Sequence, residues 1–156
     1  MIEYFPVTPV VTAGAYSIND VVGGRLRFAG VGSGTLVAVT LADNAAQAVD
    51  YRLVLFHSTP TDIADNATFD VADADIRKII WDTALLTASE RFPFTDNSFH
   101  RRYLTRDAQV GLRSKEGDGS LWGFLIATTA PTYAATSDVT VTLHVDQHRP
   151  VRRRVA

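Results

Sequence analysis

An unbroken succession of strand, turn and strand constrains the fold of this chain more than any other feature. Residues 121–145, LWGFLIATTAPTYAATSDVTVTLHV, join an apolar run to an alternating run through a Pro-Thr turn. A shorter copy of the pattern occupies residues 53–69, with Pro60 in the position of Pro131. We therefore predict a β-hairpin-like unit over residues 121–145, at the centre of an all-β domain.

The rest of the chain carries short β-prone runs separated by turn formers, at residues 21–28, 35–41, 51–56, 83–86 and 109–112. In the run at 35–41, apolar residues alternate onto opposite faces, with Leu36 on one and Val39 on the other. Both faces are therefore predicted to be at least partly covered. Apart from its short runs, the stretch 83–120 is predicted to be a long surface loop.

One segment has helical spacing. In residues 70–81, DVADADIRKIIW, the side chains of Ile76, Ile79 and Ile80 share a face, and Asp70 or Asp73 is placed to cap the first turn. The other aspartates of 62–75 lack the spacing of a calcium loop and are predicted to be solvated. Taken together, the runs predict a two-layer antiparallel sandwich of jelly-roll type with one short helix.

Length and composition predict a single β-sandwich domain over residues 1–156. A chain of this length with 46% hydrophobic residues can bury a sizeable core without a disulfide or a metal. Pro6 and Pro9 cannot donate to a β-ladder, so residues 1–12 are predicted to form an edge strand or an arm. Residues 148–156 are predicted to be a basic tail.

Charge and composition exclude several classes of protein. A net charge of −2 argues against a nucleic-acid binder. The chain has no cysteine, which excludes disulfides and thiolate metal sites. No basic leader is present and no apolar run approaches the ~20 residues that span a bilayer, so neither secretion nor membrane insertion is expected.

The best candidates for a metal site are His144, Asp146 and His148. Residues at i, i+2 and i+4 of a strand point to one face, and two imidazoles with one carboxylate suit iron or zinc. However, Val141, Val145 and their neighbours form the opposite, buried face, so these polar residues are the expected solvent-facing row. We therefore predict no metal and no cofactor.

Catalytic motifs are also missing from the sequence. The glycine-rich GVGSG at 30–34 has no following Lys-Ser or Lys-Thr, so it is interpreted as a turn. No G-x-S-x-G motif occurs. Ser58 adjoins His57, but alternate residues of a strand face opposite ways. The sequence thus predicts that the protein is not an enzyme.

Aromatic and basic residues are interleaved in the stretch from Phe92 to Tyr103. These are the residue types enriched at the centres of protein interfaces, so Phe99, Arg101 and Arg102 are predicted to contact a protein partner. Loop packing and the binding of a glycan or a nucleic acid remain as alternatives.

Several phrases in a fixed order resemble a family of small structural proteins of tailed bacteriophages. They are AYSINDVVGGRLRF, YRLVLFHSTPT, DNATFDVADADIRKII and the segment 121–145, and together they extend over residues 15–145. The resemblance implies a virion protein, assembled in the host cytoplasm, that acts as a cement or decoration protein on the capsid. It implies no catalytic residues.

For such a protein we expect the major capsid protein as a partner, together with further copies of the chain in a homotrimer. The N-terminal segment is predicted to reach neighbouring subunits through Tyr4 and Phe5. The tail is predicted to do so through a cluster of arginines, Arg149, Arg152, Arg153 and Arg154. The alternative is a carbohydrate- or receptor-binding module of a tail or head fibre that uses the aromatic residues between 92 and 103.

Overall fold

The computed structural model describes residues 1–148, apart from the side chains of residues 84–86 and 88. The described residues form two antiparallel sheets that pack against each other around a shared core. The six-stranded sheet has the spatial order β1 (Ile2–Val7), β10 (Val139–Gln147), β3 (Ser33–Asp43), β7 (Ser98–Tyr103) and β6 (Arg91–Pro93), with β8 (Val110–Arg113) also paired to β3. The four-stranded sheet has the order β2 (Val21–Phe28), β9 (Leu121–Ala127), β4 (Tyr51–Phe56) and β5 (Ile79–Leu86).

This arrangement confirms the predicted all-β, two-layer antiparallel sandwich. Strands β1 to β4 alternate between the two sheets. This alternation favours a sandwich of the jelly-roll type, and the jelly-roll topology stays a prediction. The inner face of β10 is fully buried, as its sequence predicts, and consists of Val139, Val141, Leu143 and Val145. Removal of this apolar surface from water is the main force that holds the two sheets together.

A bulge in β3 sets the register of the central strand pair. His144 is opposite Ala38 whereas Val145 is opposite Leu36, so Val37 is an extra residue on β3. Leu36 and Val39 consequently both enter the core, and the predicted alternation that separates them is wrong. The prediction that both faces of this strand are covered is confirmed, because Ala38 on the other face is only 1% exposed.

The predicted hairpin at residues 121–145 is wrong. β9 lies in the four-stranded sheet between β2 and β4, and β10 lies in the six-stranded sheet between β1 and β3. The connection therefore crosses from one sheet to the other. Tyr133 anchors it, because its ring is 2% exposed and its backbone N–H donates to the carbonyl of Gly14 at 3.0 Å. Each strand already has two partners, so no pairing between them is needed.

The predicted helix at residues 70–81 is also wrong. Only Ile76–Lys78 form a single 3₁₀ turn, and Ile79 begins β5, where it pairs with Phe56. β-branched and aromatic side chains at the end of the segment favour the strand. The Asp75 carboxylate is buried and accepts hydrogen bonds from the Thr61 N–H at 2.7 Å and from Lys78 Nζ at 2.6 Å, so it fixes the turn without capping a helix.

The acidic loop before this turn is more ordered than a solvated loop. Asp65 accepts four hydrogen bonds, from the N–H and hydroxyl of Thr12, the hydroxyl of Tyr16 and the N–H of Gly23, at 2.6 to 2.8 Å. One carboxylate thus ties the β4–β5 connection to the chain that precedes and enters β2. A residue of this kind is an anchor of the fold, because charge-assisted hydrogen bonds to backbone donors are among the strong ones.

Residues 83–120 do not form one long surface loop. They contain the end of β5 and all of β6, β7 and β8, and β6 and β7 make a hairpin closed by a hydrogen bond of 2.8 Å from the Phe94 N–H to the Asn97 carbonyl. The predicted runs at 83–86 and 109–112 overlap β5 and β8. Strands β6 and β7 are short and half polar, which hides them from a search for apolar runs. The N-terminal segment is the edge strand β1 and is paired with β10, so it lies on the sheet and is not a detached arm.

We expect Gly34→Ala to lower the free energy of unfolding by about 1–3 kcal/mol, the usual cost of overpacking. An added Cβ would lie 2.6 Å from Val145 Cγ1 and 2.7 Å from the Asp146 carbonyl oxygen. Gly111→Ala, in the neighbouring strand β8, is the matched control, because a Cβ there meets no atom within 4 Å. The check is the urea unfolding midpoint, and equal midpoints for the two variants would contradict the packing argument.

Candidate functional site on the outer face of the six-stranded sheet

Four neighbouring strands place their side chains in one row across the outer face of the six-stranded sheet. Tyr4 of β1 is opposite His144 of β10, His144 is opposite Ala38 of β3, and Ala38 is opposite Tyr103 of β7. Directly opposed residues of antiparallel strands point to the same side of a sheet. The rings of Tyr4 and His144 meet edge to face with 4.7 Å between their centroids. The small Ala38 side chain leaves a depression between these larger neighbours.

Along β7, every second residue extends this face. Phe99, Arg101 and Tyr103 follow each other at the two-residue spacing of a strand. The guanidinium carbon of Arg101 lies 5.1 Å from the Phe99 ring centroid and 5.3 Å from that of Tyr103, and its Nη1 donates a hydrogen bond of 2.8 Å to the Tyr103 hydroxyl. Cation–π contacts and the hydrogen bond together hold the guanidinium against the two rings.

Two hollows open on either side of Arg101. The first has a volume of about 370 Å³ and is lined by Phe92, Pro93, Phe94, Phe99 and Arg101. The second has a volume of about 590 Å³, and Arg101 also contributes to its wall; its other lining residues are Ile2, Tyr4, Val37, Ala38, Tyr103, Leu104, Gln109 and His144. Both volumes lie within the usual range of small-ligand sites. We call the two hollows together the outer-face groove.

Arg101 is the one charged group among the residues that line the outer-face groove. No Asp or Glu contributes to either hollow. Burial lowers the pKa of His144 below 6.5, and the charge of Arg101 lowers it further. The imidazole is therefore neutral at pH 7, and its Nε2 lies 3.2 Å from the Thr40 hydroxyl. The groove combines aromatic walls with a single positive charge.

The predicted interface residues divide between this groove and other parts of the molecule. Tyr4, Phe99 and Arg101 come together on the outer face. Phe5 points inward and packs against the core. Arg102 also faces away from the groove, where its Nε lies 2.8 Å from Glu90 Oε1 in an ion pair.

The remaining predicted contacts, Arg149, Arg152, Arg153 and Arg154, lie outside the described residues. The sequence places His144 in the solvent-facing row of its strand and Tyr103 at the end of the aromatic and basic stretch, but it does not predict that the two share one groove. Phe99, Arg101 and Tyr103 are spaced two residues apart, and in a strand this spacing predicts that their side chains lie on the same face. Nothing in the sequence alone pairs β7 with the strand that carries Ala38, and this pairing aligns Tyr103 with His144.

His144, Asp146 and His148 each have their own partner and do not converge on one point. His144 faces Thr40, Asp146 Oδ1 lies 2.7 Å from the amino group of Met1, and His148 Nε2 lies 3.1 Å from the Thr35 hydroxyl. Within residues 1–148, no group of three or more His, Cys, Asp or Glu side chains is arranged to hold a metal ion.

Ser58 and His57 are closer than the alternation of a strand predicts. The Ser58 hydroxyl lies 3.0 Å from His57 Nδ1. The strand β4 ends at Phe56, so His57 and Ser58 lie beyond it. Their side chains therefore do not have to point to opposite faces of the sheet. A hydrogen bond between adjacent residues does not by itself make a nucleophile, which also needs an oriented base and an oxyanion site. The absence of enzymatic activity stays a prediction.

A second polar cluster is buried behind the β6–β7 hairpin. The His100 imidazole is 0% exposed and meets the Tyr51 ring edge to face at 5.7 Å. The Tyr51 hydroxyl is hydrogen-bonded to that of Tyr133. Burial raises the pKa of the nearby Asp43, whose carboxylate accepts hydrogen bonds from the N–H groups of Ala45 at 2.8 Å and Gln47 at 3.0 Å. These groups are buried and do not line the outer-face groove.

Fold and site together define a β-sandwich protein that presents an aromatic, singly charged groove on the outer face of one sheet. A scan against protein-family models, a search of curated proteins and a search of solved structures each found no match to this chain. Among residues 1–148, no helix has the length and apolar character required to cross a bilayer.

The buried His100 gives the stability of the fold a pH dependence. Burial has the largest effect and lowers the pKa of His100 below its ordinary 6.5, and the charge of Arg91 lowers it further. The backbone of Val49, whose effect exceeds that of Arg91, and the charges of Glu90 and Asp50 act in the opposite direction. The unfolded chain therefore takes up the proton first as the pH falls. We therefore expect the free energy of unfolding to decrease as the pH falls from 6.5 towards the pKa of His100 in the folded state.

The measurement is the free energy of unfolding between pH 8 and pH 5 for the wild type and for His100→Phe, which keeps an aromatic ring against Tyr51. The difference between the two proteins should grow in favour of the variant below pH 6.5. A constant difference over this range would show that His100 does not carry the dependence. Asp43 acts in the opposite direction, because burial raises its pKa and the folded protein therefore binds this proton before the unfolded chain does. Both proteins contain Asp43, so subtraction of the two curves removes its effect.

Proposed function

We propose that this chain is a structural protein of a tailed-bacteriophage particle, a cement or decoration protein that binds the major capsid protein through the outer face of its six-stranded sheet. The resemblance of residues 15–145 to small virion proteins supports the biological setting. The observation that carries the proposal is the aromatic and arginine character of the exposed outer face.

The exposed residues of this face are of the kinds that protein interfaces use. Tyr4 is 65% exposed, Tyr103 68%, Phe92 55% and Phe94 63%. Aromatic residues and arginine are enriched at the centres of interfaces, and a contiguous exposed apolar patch marks an interaction site. In a virion the face therefore serves as the side of the protein that covers a neighbouring subunit.

Two further features suit attachment at many points. Among residues 1–148, β1 is an edge strand whose strand partner is β10, and edge strands are surfaces that neighbouring chains can use. The basic tail carries Arg149, Arg152, Arg153 and Arg154. Many copies that each make a few modest contacts hold a shell by avidity. In this proposal the protein is a homotrimer at a threefold position of the capsid and is assembled in the host cytoplasm. It has no enzymatic role.

We expect the protein in purified particles at a copy number comparable to that of the major capsid protein. A cement protein follows the lattice of the shell, so its stoichiometry follows that of the shell. Quantitative mass spectrometry of purified particles measures this ratio. A few copies per particle would place the protein at the tail or a vertex, and its absence would remove the virion role.

We expect Tyr103→Ala to weaken binding to particles that lack the protein by about tenfold or more, because an aromatic residue at an interface centre contributes at least ~1.4 kcal/mol. Ile76→Ala is the matched control, because Ile76 is 55% exposed but belongs to the turn before β5. Particle co-sedimentation measures both. An equal loss of binding in the two variants would show that the contact lies elsewhere on the protein.

Deletion of residues 150–156 tests the contribution of the tail in the same assay.

A second candidate function is a carbohydrate- or receptor-binding module of a tail or head fibre. The hollow on the face of the β6–β7 hairpin favours it, because Phe92, Phe94 and Phe99 line a space of about 370 Å³ beside Arg101. Aromatic rings pack against the C–H faces of sugars. A concave, largely apolar site with one charged group is the usual form of a small-ligand site.

On a glycan array we expect binding that is lost in Phe99→Ala and kept in Ile18→Ala. Phe99 forms a wall of the hollow and supports Arg101 at 5.1 Å. Ile18 is 61% exposed and lies in the connection between β1 and β2. The absence of any glycan signal for the wild type, or its survival in Phe99→Ala, would remove the second candidate function.

A further inference from the structure

We propose that the outer-face groove binds an acidic polysaccharide, with the carboxylate of a uronic or sialic acid unit paired to Arg101. The inference rests on the second candidate function and names the class of sugar that it selects. Four features favour such a ligand: the charge of the groove, the contacts that hold Arg101 in place, the shape of the hollows and the polar groups at their rim.

The charge of the groove suits an anion. Arg101 is exposed and lines both hollows, and none of the ion pairs within residues 1–148 includes it. The imidazole of His144 on the groove wall is neutral at pH 7 and does not compete for an anion. A sugar unit with one carboxylate at Arg101 therefore complements the site, because the guanidinium fork matches the two carboxylate oxygens.

Arg101 is held in place before any ligand arrives. The Phe99 and Tyr103 rings contact it at 5.1 and 5.3 Å, and one of its N–H groups is used by the Tyr103 hydroxyl. A guanidinium has five N–H donors in a planar fork that matches the two oxygens of a carboxylate. Because the side chain is already ordered, little conformational entropy is lost when the carboxylate binds.

The shape of the groove fits a chain of sugar units. Its two hollows of about 370 and 590 Å³ share Arg101 as a lining residue and lie in the size range of small-ligand sites. A chain of sugars lying across Arg101 would fill both hollows at once.

The two hollows differ in the contacts that they offer: the first is mainly apolar and the second also has polar groups. Phe92 and Phe94 are more than half exposed and provide aromatic surface for the C–H side of a pyranose. In the second hollow, the hydroxyl of Tyr4 and the amide of Gln109 are available to sugar hydroxyl groups. This combination of a stacking wall and a polar wall suits a ring that is apolar on one face and polar at its edge.

The test is isothermal titration calorimetry of the full chain with tetragalacturonate and with 3′-sialyllactose, against the neutral sugars maltotetraose and lactose. We expect each acidic sugar to bind about tenfold more tightly than its neutral counterpart, because a hydrogen-bonded charge pair contributes of that order. Arg101→Met should abolish the preference, and Arg101→Lys, which keeps the charge but not the fork, should retain only part of it. Ile76→Ala is the control for folding and should behave as the wild type.

Each other outcome separates the inference from the functions on which it depends. If neutral and acidic sugars bind equally and Arg101→Met changes neither, the carboxylate site is overturned while the second candidate function stands. If no sugar binds, both fall and the capsid contact remains. If the protein self-associates in analytical ultracentrifugation and Phe99→Ala abolishes the association, the groove is an interface between copies of this chain and the inference is overturned.

Discussion

The pairing of β3 with β10 across the bulge at Val37 determines both faces of the six-stranded sheet. The extra residue brings Leu36 and Val39 into the core together and leaves Ala38 on the outer face. A slip of one residue would exchange the two faces of a strand, so the buried side of β10 strongly specifies the register. Because β10 carries β1 on one edge and β3 carries β7, this register also places Tyr4 and Tyr103 in one row. The geometry of the outer face is thus a consequence of how the core packs.

The composition of the outer face, in contrast, is not required by the core. On β10 the outward positions Thr140 and Thr142 are polar, as expected for the solvent side of an antiparallel sheet. The β6–β7 hairpin instead exposes Phe92, Phe94 and Tyr103. Exposed rings do not stabilise the fold, and they favour aggregation when nothing covers or uses them. Their presence next to a supported arginine is therefore the strongest sign of function in the described part of the chain.

The sequence predicts those parts of the structure that depend on strong local patterns. The alternation of Val139, Val141, Leu143 and Val145 identifies β10 and its buried face, and the turn formers separate short strands of a sandwich. Which strands pair is a matter of long-range contacts, which explains why the apparent hairpin at 121–145 is a crossover between sheets. The helix prediction fails because Ile79 and Ile80 fit a helical spacing as well as a strand, and the pairing of β5 with β4 decides between them. In the site, Phe99 and Arg101 are identified by residue type, but their juxtaposition with Tyr4 depends on three strand pairings.

The two candidate functions make different demands on the same face. A stable contact with a capsid subunit buries about 800 Å² on each partner, so its energy is spread over many side chains and a single charge contributes modestly. A sugar unit touches only the walls of one hollow, so a single guanidinium accounts for a large share of its affinity and for its preference among sugars. Weak binding by one copy is no objection to either function, since an array of copies on a particle multiplies it by avidity. The dependence of binding on the charge of Arg101 is the property of the protein itself that separates the two functions.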